Sequence, residues 1–307
     1  MVKFYKTVNG TVTEIENAEN GCWISVIAPT EEEIRYIIEA YGLDAGFVRS
    51  SLDEEESSRI EAEEDQTLII VDYAVTETDT QNAILYSTLP MGIILTQTNV
   101  VTISSRENIV LSEMSGGVVK NLQTHLKTRF LLMILLRIAA KYLQYLKQID
   151  KITSFLEKHI HKSMKNKELI QLLDLEKSLV YFSTSLKANE ITLEKILRGR
   201  VIKLYEDDQD LLEDVLIEIK QSIEMADIYS NILSRMVDAF GSVTSNNLNN
   251  VMNRLTIITI LMTIPTIISG FYGMNVDDLP IPHVWFPTVL SIVATAITGF
   301  ILWEREK

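Results

Sequence analysis

Two apolar stretches without a charged side chain end the chain and form its clearest pattern. Residues 255–274 and residues 284–303 are each 20 residues long, and neither contains Asp, Glu, Lys or Arg. An α-helix of about 20 residues rises about 30 Å, which is the thickness of the hydrocarbon core of a bilayer. The pattern therefore predicts two membrane-spanning helices, joined by the loop 275–283 and followed by the tail 304–307.

A four-and-three spacing of apolar or small residues precedes the first span. It predicts one long stalk helix over residues 206–274 that runs from the soluble part into the membrane. Because an isolated helix gains little stability in water, this helix needs neighbours along its seam. The seam positions are Leu212, Leu216, Ile219, Ile223, Ala226, Ser230, Leu233, Val237 and Phe240.

Residues 116–205 are poor in glycine and proline and indicate a helical hairpin. Within this hairpin, residues 130–136 form an apolar run that is too short to span a bilayer and is bracketed by basic side chains. We expect that run to be a buried helix face. The second helix is predicted over residues 167–197 and should end near Gly199.

The first 115 residues carry the alternation and punctuation of an α/β domain. Residues 23–28 predict a strand, and Thr30 with Glu33 predicts a capping box that opens a helix closing at Tyr41 and Gly42. Further strands are predicted over residues 67–74, 83–88 with 92–96, and 100–104. The acidic stretch 52–65 indicates a solvated turn and helix face. The expected fold is thus an α+β cytoplasmic domain, α/β in its N-terminal part and then long helices, followed by two C-terminal transmembrane helices.

Composition and charge narrow the classes of function. The 307 residues carry a formal net charge of −14, and residues 254–307 contribute only three bases and four acids to it. An acidic soluble part argues against a nucleic-acid partner and is compatible with attracting cations. Since no glycine is followed by lysine, there is no phosphate-binding Walker A loop, and we expect neither a bound nucleotide nor an enzyme.

The basic residues near the spans predict the orientation in the membrane. Arg254 precedes the first span, Arg305 and Lys307 follow the second, and residues 275–283 contain neither Lys nor Arg. Basic flanks favour the cytoplasmic side, so we expect a multi-pass cell-membrane protein with both termini in the cytoplasm. The single Cys22 fits a reducing compartment, and the N-terminal residues lack the apolar core of a cleaved signal peptide.

The sequence Tyr272-Gly273-Met274-Asn275 lies at the end of the first span, after the long acidic helical region. With this placement the chain resembles the CorA family of divalent-cation channels. The resemblance implies a homopentameric funnel in which five stalk helices lead into a central pore. It also implies that Gly273, Met274 and Asn275 form the selectivity filter, with Asp277 and Asp278 in the entrance loop.

The resemblance carries over to the first span position by position. It implies a pore-facing and gating set in which Met252 and Leu255 form an apolar constriction that closes by dewetting. Where the family often has methionine one turn before Thr266, this chain has Thr263. The implied set is Asn249, Met252, Leu255, Thr266 and Gly270.

An acidic segment at the start of the stalk suggests where the channel would sense cations. Residues 206–227 contain nine acids and the single base Lys220. In the family, gating depends on magnesium bound between the cytoplasmic domains of adjacent subunits. The resemblance places Asp214 at the stalk carboxylate of that regulatory site, so Mg²⁺ would be both cargo and regulatory ligand.

The favoured function is passive Mg²⁺ uptake, with Co²⁺ or Ni²⁺ as secondary cargo. Mg²⁺ dehydrates reluctantly, so neutral oxygens such as the Asn275 carboxamide suit its hydrated form. A membrane potential of 100 mV contributes about 4.6 kcal/mol to the entry of a divalent ion, so no nucleotide is required. Two alternatives remain open: a ZntB-like zinc transporter and a membrane-anchored sensor or scaffold. The second would not explain Asn and Thr at regular intervals along the first span.

Overall fold

The computed structural model describes residues 1–63, 65–78, 84–163, 166–199, 201–274, 281, 283 and 285–305. It divides into two units, residues 1–237 and residues 238–307. The strands are β1 (Val2–Val8), β2 (Thr11–Ile15), β3 (Trp23–Ile27), β4 (Arg59–Glu63), β5 (Gln66–Thr78), β6 (Ile84–Leu95) and β7 (Val100–Ser104). The helices are α1 (Glu31–Tyr41), α2 (Ala45–Ser50), α3 (Ile109–Ser115), α4 (Lys127–Ser163), α5 (Asn166–Leu197), α6 (Glu206–Tyr272) and α7 (Trp285–Arg305). The expected combination of a mixed soluble domain and two C-terminal apolar helices is confirmed.

The first unit is built on a seven-stranded sheet with the order β2-β1-β3-β7-β6-β5-β4. β3 pairs in parallel with β7, with Trp23 opposite Val100, and β5 pairs antiparallel with β6 from Thr67 to Thr78. Apolar side chains cover both faces of the sheet. One face buries Ile37 of α1 and Phe47 of α2, and the other buries Phe130 of α4 and Phe182 of α5 in a second cluster.

The predicted start and end of α1 are confirmed. Thr30 and Glu33 form the reciprocal capping box, and Gly42 closes the helix with φ of +61°. This left-handed conformation is one that glycine adopts without a side-chain clash, so the sequence marks both ends of the helix. The strand predicted over residues 23–28 is likewise present as β3.

The prediction for residues 52–65 is wrong in its second half, because Arg59–Glu63 forms the edge strand β4 instead of a helix face or turn. Arg59 pairs with Glu56 and Glu61 on that exposed edge. Edge strands often carry charged side chains, and those charges hid the strand pattern. The prediction also omitted β1 and β2, whose pairing depends on β3.

The two strand segments predicted over residues 83–96 form one strand that passes through Pro90. Proline is tolerated there for two reasons. On one side, β7 pairs with β6 only from Met91 onward. On the other side, Asp72 of β5 lies opposite Pro90 but makes its backbone hydrogen bonds to a side chain of α5. Asn189 of α5 accepts from the Asp72 N–H at 2.9 Å and donates to the Asp72 C=O at 2.8 Å. The pairing of β5 with β4 ends at Ile70. Beyond that point the Asn189 carboxamide supplies the hydrogen-bond partners of the Asp72 backbone N–H and C=O.

The run 130–136 lies in α4, and most of its side chains are buried, as expected. A charged cluster also holds α4 against α3. Glu113 pairs with Arg137 and Lys141, and the Lys141 side chain is only 6% exposed. Burial by itself would raise the pKa of the Glu113 carboxyl, but hydrogen bonds from Lys141 and Arg137 outweigh it and hold the pKa below its ordinary value.

The first part of the predicted stalk seam packs inside its own chain. Leu212, Leu216, Ile219, Ala226 and Leu233 are buried in the same cluster as the apolar residues of α4 and α5. The neighbours that this part of α6 requires therefore come from the hairpin of the same chain, whereas the resemblance had pointed to stalk helices of other copies.

Candidate functional site

The second unit contains the end of α6 and the whole of α7. Each of these helices contains an apolar segment long enough to cross a membrane, and in α6 no residue of that segment is buried. The two segments agree with the predicted spans. Because water would solvate so much apolar surface poorly, lipid or other copies of the chain must cover it.

One face of α6 packs against α7. A Cβ atom added to Gly299 of α7 would lie 3.5 Å from Leu261 Cδ2, and the rings of Tyr272 and Phe286 are 6.1 Å apart between centroids. The partly covered residues of this segment of α6 share that face. They are Ile257, Leu261, Ile264, Pro265, Ile268 and Tyr272.

The residues predicted to face a pore lie on the other side of α6. At about 100° per residue they fall within about 120° of one another, and the centre of that arc is nearly opposite the face that packs against α7. Met252 is 55% exposed and Leu255 is 59% exposed. All members of the set are exposed in the single chain: Asn249, Met252, Leu255, Thr266 and Gly270.

The predicted filter begins where α6 ends. Gly273 donates its N–H to the Ser269 carbonyl at 2.9 Å, and an added Cβ on Gly273 would lie 3.1 Å from that same oxygen. Glycine therefore permits the close approach at the end of the helix. Met274 is exposed, whereas the predicted site residues Asn275, Asp277 and Asp278 lie outside the described residues.

The acidic segment of α6 carries the predicted regulatory residue. Asp214 is exposed and makes no side-chain hydrogen bond or ion pair with the described residues. Further along the same helix, Asp227 pairs with Lys187 of α5 at 3.3 Å. Among the described residues of one chain, no group of three or more His, Cys, Asp and Glu side chains could hold a metal ion. A metal site that uses Asp214 would therefore need further ligands from outside this set of residues. The regulatory role of Asp214 stays a prediction.

The structure adds a row of hydroxyl groups on the side of α6 that is predicted to face a pore. Of these threonines, the sequence analysis assigned only Thr266 to the pore. The others follow at spacings of three and four residues, which is the signal in the sequence that could have identified them. The full row is Thr256, Thr259, Thr263 and Thr266.

Comparison with known proteins identifies the family and the fold. The family model described as "CorA-like Mg2+ transporter protein" matches residues 18–304. The cobalt/magnesium transport protein CorA of Methanocaldococcus jannaschii is 28% identical over 287 residues, which cover 91% of this chain and 89% of that protein.

Two solved structures share the fold. The complete CorA magnesium transporter from M. jannaschii superposes with a TM-score of 0.80 at 23% identity, covering 99% of this chain and 96% of that chain. The cytoplasmic domain of ZntB from Vibrio parahaemolyticus matches with a TM-score of 0.59 at 12% identity, covering 81% of this chain and 98% of that chain. Because the family model extends from the sheet to the end of the second apolar helix, the chain belongs to the CorA-like Mg²⁺ transporter family.

Proposed function

We propose that this protein is a membrane channel for passive Mg²⁺ uptake. The observation that carries the proposal is the position of Asn249, Met252, Thr266 and Gly270 on one face of α6, on the side away from α7. Copies arranged around a central axis would bring these faces together. Polar rings would then alternate with the apolar constriction at Met252, which is how channels combine passage with closure.

The assembly is proposed as a homopentamer in the cell membrane, with both termini in the cytoplasm. The basic flanks at Arg254, Arg305 and Lys307 support this orientation. A cysteine introduced at Asp278 should react with a membrane-impermeant thiol reagent added outside intact cells, while one at Ser245 should not. Labelling of the Ser245 variant alone would contradict the orientation.

The proposed filter distinguishes ions by their hydration. Five Asn275 carboxamide oxygens would accept hydrogen bonds from the water shell of Mg²⁺ without stripping it. Zn²⁺ takes nitrogen and sulfur ligands more readily and sheds water for them. A ZntB-like zinc transporter is the alternative, and Co²⁺ and Ni²⁺ are secondary cargo in the main proposal.

Flux into liposomes tests the proposal directly. The purified full-length chain would be reconstituted around a Mg²⁺-sensitive dye, with a membrane potential that is negative inside. We expect Mg²⁺ entry that rises with the potential and needs no nucleotide, since 100 mV supports about three decades of accumulation of a divalent ion. Zn²⁺ entry without Mg²⁺ entry would favour the zinc transporter. If a correctly assembled protein gave no flux of any divalent cation, only the alternative of a membrane-anchored sensor or scaffold would be left.

A further inference from the structure

A cavity of about 320 Å³ lies in the first unit, where the start of α4 meets the start of α6. This volume is within the range of sites that bind small molecules. Side chains of both charge signs line this α4–α6 cavity. They are His125, Lys127 and Arg129 on the side of α4, and Tyr205, Asp207 and Asp208 on the side of α6.

Asp208 is a buried carboxylate without a partner. It is only 5% exposed, although aspartate is rarely buried unless its charge is paired. Its side chain accepts no hydrogen bond and forms no ion pair within the part of the chain that the structure describes. The dipole at the start of α6 attracts the carboxylate, but that attraction is small beside the cost of burying an unpaired charge. The folded chain therefore holds a carboxylate at this cavity for a partner from outside these residues.

Arg129 lines the same cavity with its guanidinium unused. It is partly buried, and none of the side-chain or backbone oxygens that the structure describes accepts a hydrogen bond from it. Lys127 differs, because its ammonium donates to the Thr96 carbonyl at 2.6 Å and to the Gln97 carbonyl at 2.7 Å. The cavity thus has an unused acceptor on one wall and a set of unused N–H donors on the other.

We propose that the α4–α6 cavity binds a small zwitterion, an α-amino acid or a molecule with the same charge pattern. Its anionic group would bind the Arg129 guanidinium, and its ammonium group would donate to the Asp208 carboxylate. A cation alone would be repelled by Lys127 and Arg129, and an anion alone would be repelled by the two aspartates. A molecule that carries both charges satisfies both walls.

A ligand at this position would strengthen the junction between α4 and the start of α6. Thr128 of α4 already donates to the carbonyl of Lys203, in the segment before α6, at 3.3 Å. The ligand would add a charged contact to each helix and so favour one placement of the start of α6. This inference goes beyond the proposed channel function and does not depend on it.

Calorimetric titration of the purified full-length chain in detergent tests the binding. The probes are L-serine, L-glutamine and L-arginine, three zwitterions of increasing length. We expect at least one of them to bind saturably, with one molecule per chain. Acetate and methylammonium, which each carry only one of the two charges, should bind at least about tenfold more weakly. The inference is overturned if none of the three amino acids binds, or if acetate or methylammonium binds as tightly as the best of them.

Variants on the two walls locate the site. Arg129→Gln and Asp208→Asn should each weaken binding at least about tenfold, because each removes the charge from one of the two contacts. Arg35→Gln and Asp210→Asn are the matched controls, since they make the same changes at exposed positions that do not line the cavity. Both controls should bind with wild-type affinity. Wild-type affinity in Arg129→Gln or Asp208→Asn would place the amino acid elsewhere and overturn the inference.

The melting temperature without ligand separates a binding role of Asp208 from a structural one. Asp208→Asn should melt no lower than the wild-type protein, because the change removes a buried charge that has no partner. A clearly lower melting temperature would mean that the carboxylate is satisfied within the protein, and the inference would fail. Titration with MgCl₂ alone is the last arm: Mg²⁺ binding that is lost in Asp208→Asn, without amino-acid binding, would make the cavity a cation site only. Since none of these measurements uses ion flux, a negative result here leaves the proposed channel function untouched.

Discussion

Asn275 is the side chain on which the proposed selectivity depends most. In the proposed pentamer Asn275→Ala removes a whole ring of acceptor oxygens while leaving the helices unchanged, so we expect at least about a tenfold loss of Mg²⁺ uptake by an assembled channel. Asn275→Asp should bind divalent cations more tightly and discriminate among them less, because a carboxylate ring attracts any cation. Competition between Mg²⁺ and Co²⁺ in the liposome assay measures both effects. Normal uptake by the alanine variant would reduce Asn275 to a residue that caps the helix end.

Glu113 illustrates a polar side chain used for stability. Glu113→Gln leaves the almost buried Lys141 ammonium without its ion-pair partner, and we expect a loss of about 3 kcal/mol of unfolding free energy near neutral pH. The folded protein holds the pKa of the Glu113 carboxyl below its ordinary value, so the carboxylate stabilises the fold above that ordinary value. This stabilisation disappears as the pH falls through the lower folded-state pKa.

The difference in melting temperature between wild type and Glu113→Gln, measured in detergent, should therefore narrow below about pH 4. Glu77→Gln is the matched control, since Glu77 pairs with Arg106 where both side chains are about half exposed. It should change the melting temperature little at any pH, because exposed ion pairs contribute about 0–1 kcal/mol. A constant gap across the pH range for Glu113→Gln would contradict the role of its charge.

The contact between α2 and the sheet depends on a glycine in β6. A Cβ atom on Gly92 would lie 1.8 Å from Ser51 Oγ and 2.3 Å from Ser51 Cβ, so α2 would have to move away from the strand. We expect Gly92→Ala to destabilise the protein by about 1–3 kcal/mol, measured as a lower melting temperature. Adding Ser51→Gly should recover part of the loss, because it removes both clashing atoms. If the two changes were simply additive, the predicted clash would not exist.

In the first unit, a helix side chain supplies hydrogen-bond partners that a strand lacks at the edge of the sheet. Asn189 of α5 takes the place of a strand at the edge of β5, with Ser58 donating to the same carboxamide oxygen at 2.8 Å. Asn189 is 2% exposed, although asparagine within a helix pattern normally indicates a solvated position. Sequence periodicity could place α5 but not this contact, since the edge it satisfies is more than 100 residues away along the chain.

Control of the assembled channel is expected to depend on charge at the start of α6. In the proposed pentamer, Asp214 and the acids around it would repel one another across subunit contacts unless a cation bridged them, so high internal Mg²⁺ should favour the closed state. Asp214→Lys places a fixed positive charge where the ion would bind and should mimic that state. We expect lower conductance and a protease resistance that no longer depends on Mg²⁺.

Glu157→Lys is the control for that prediction, since it makes the same charge change at an exposed position of α4. It should retain the wild-type dependence of current and proteolysis on Mg²⁺. If Asp214→Lys also retains this dependence, then Asp214 is a solvated stalk residue and the sensor lies elsewhere.

The sequence alone determined the features that depend on local chemistry. An apolar stretch of twenty residues without charge predicts a membrane span from its own composition. The capping box of Thr30 and Glu33 and the closing Gly42 act within one helix. The motif from Tyr272 to Asn275 is contiguous in the sequence. These signals do not need a distant partner to be recognised. The family and the order of the soluble domain, the long helices and the two spans followed from them.

The tertiary structure alone decided which surfaces meet. It placed the charged strand β4 at the edge of the sheet and buried Leu212 and Leu233 against the hairpin of their own chain. It also placed α7 beside Leu261, which leaves the face with Thr259 and Thr263 uncovered. The apolar residues of this part of α6 lie on several sides of the helix and do not by themselves show which of them α7 covers, so that contact depends on packing between elements distant in sequence.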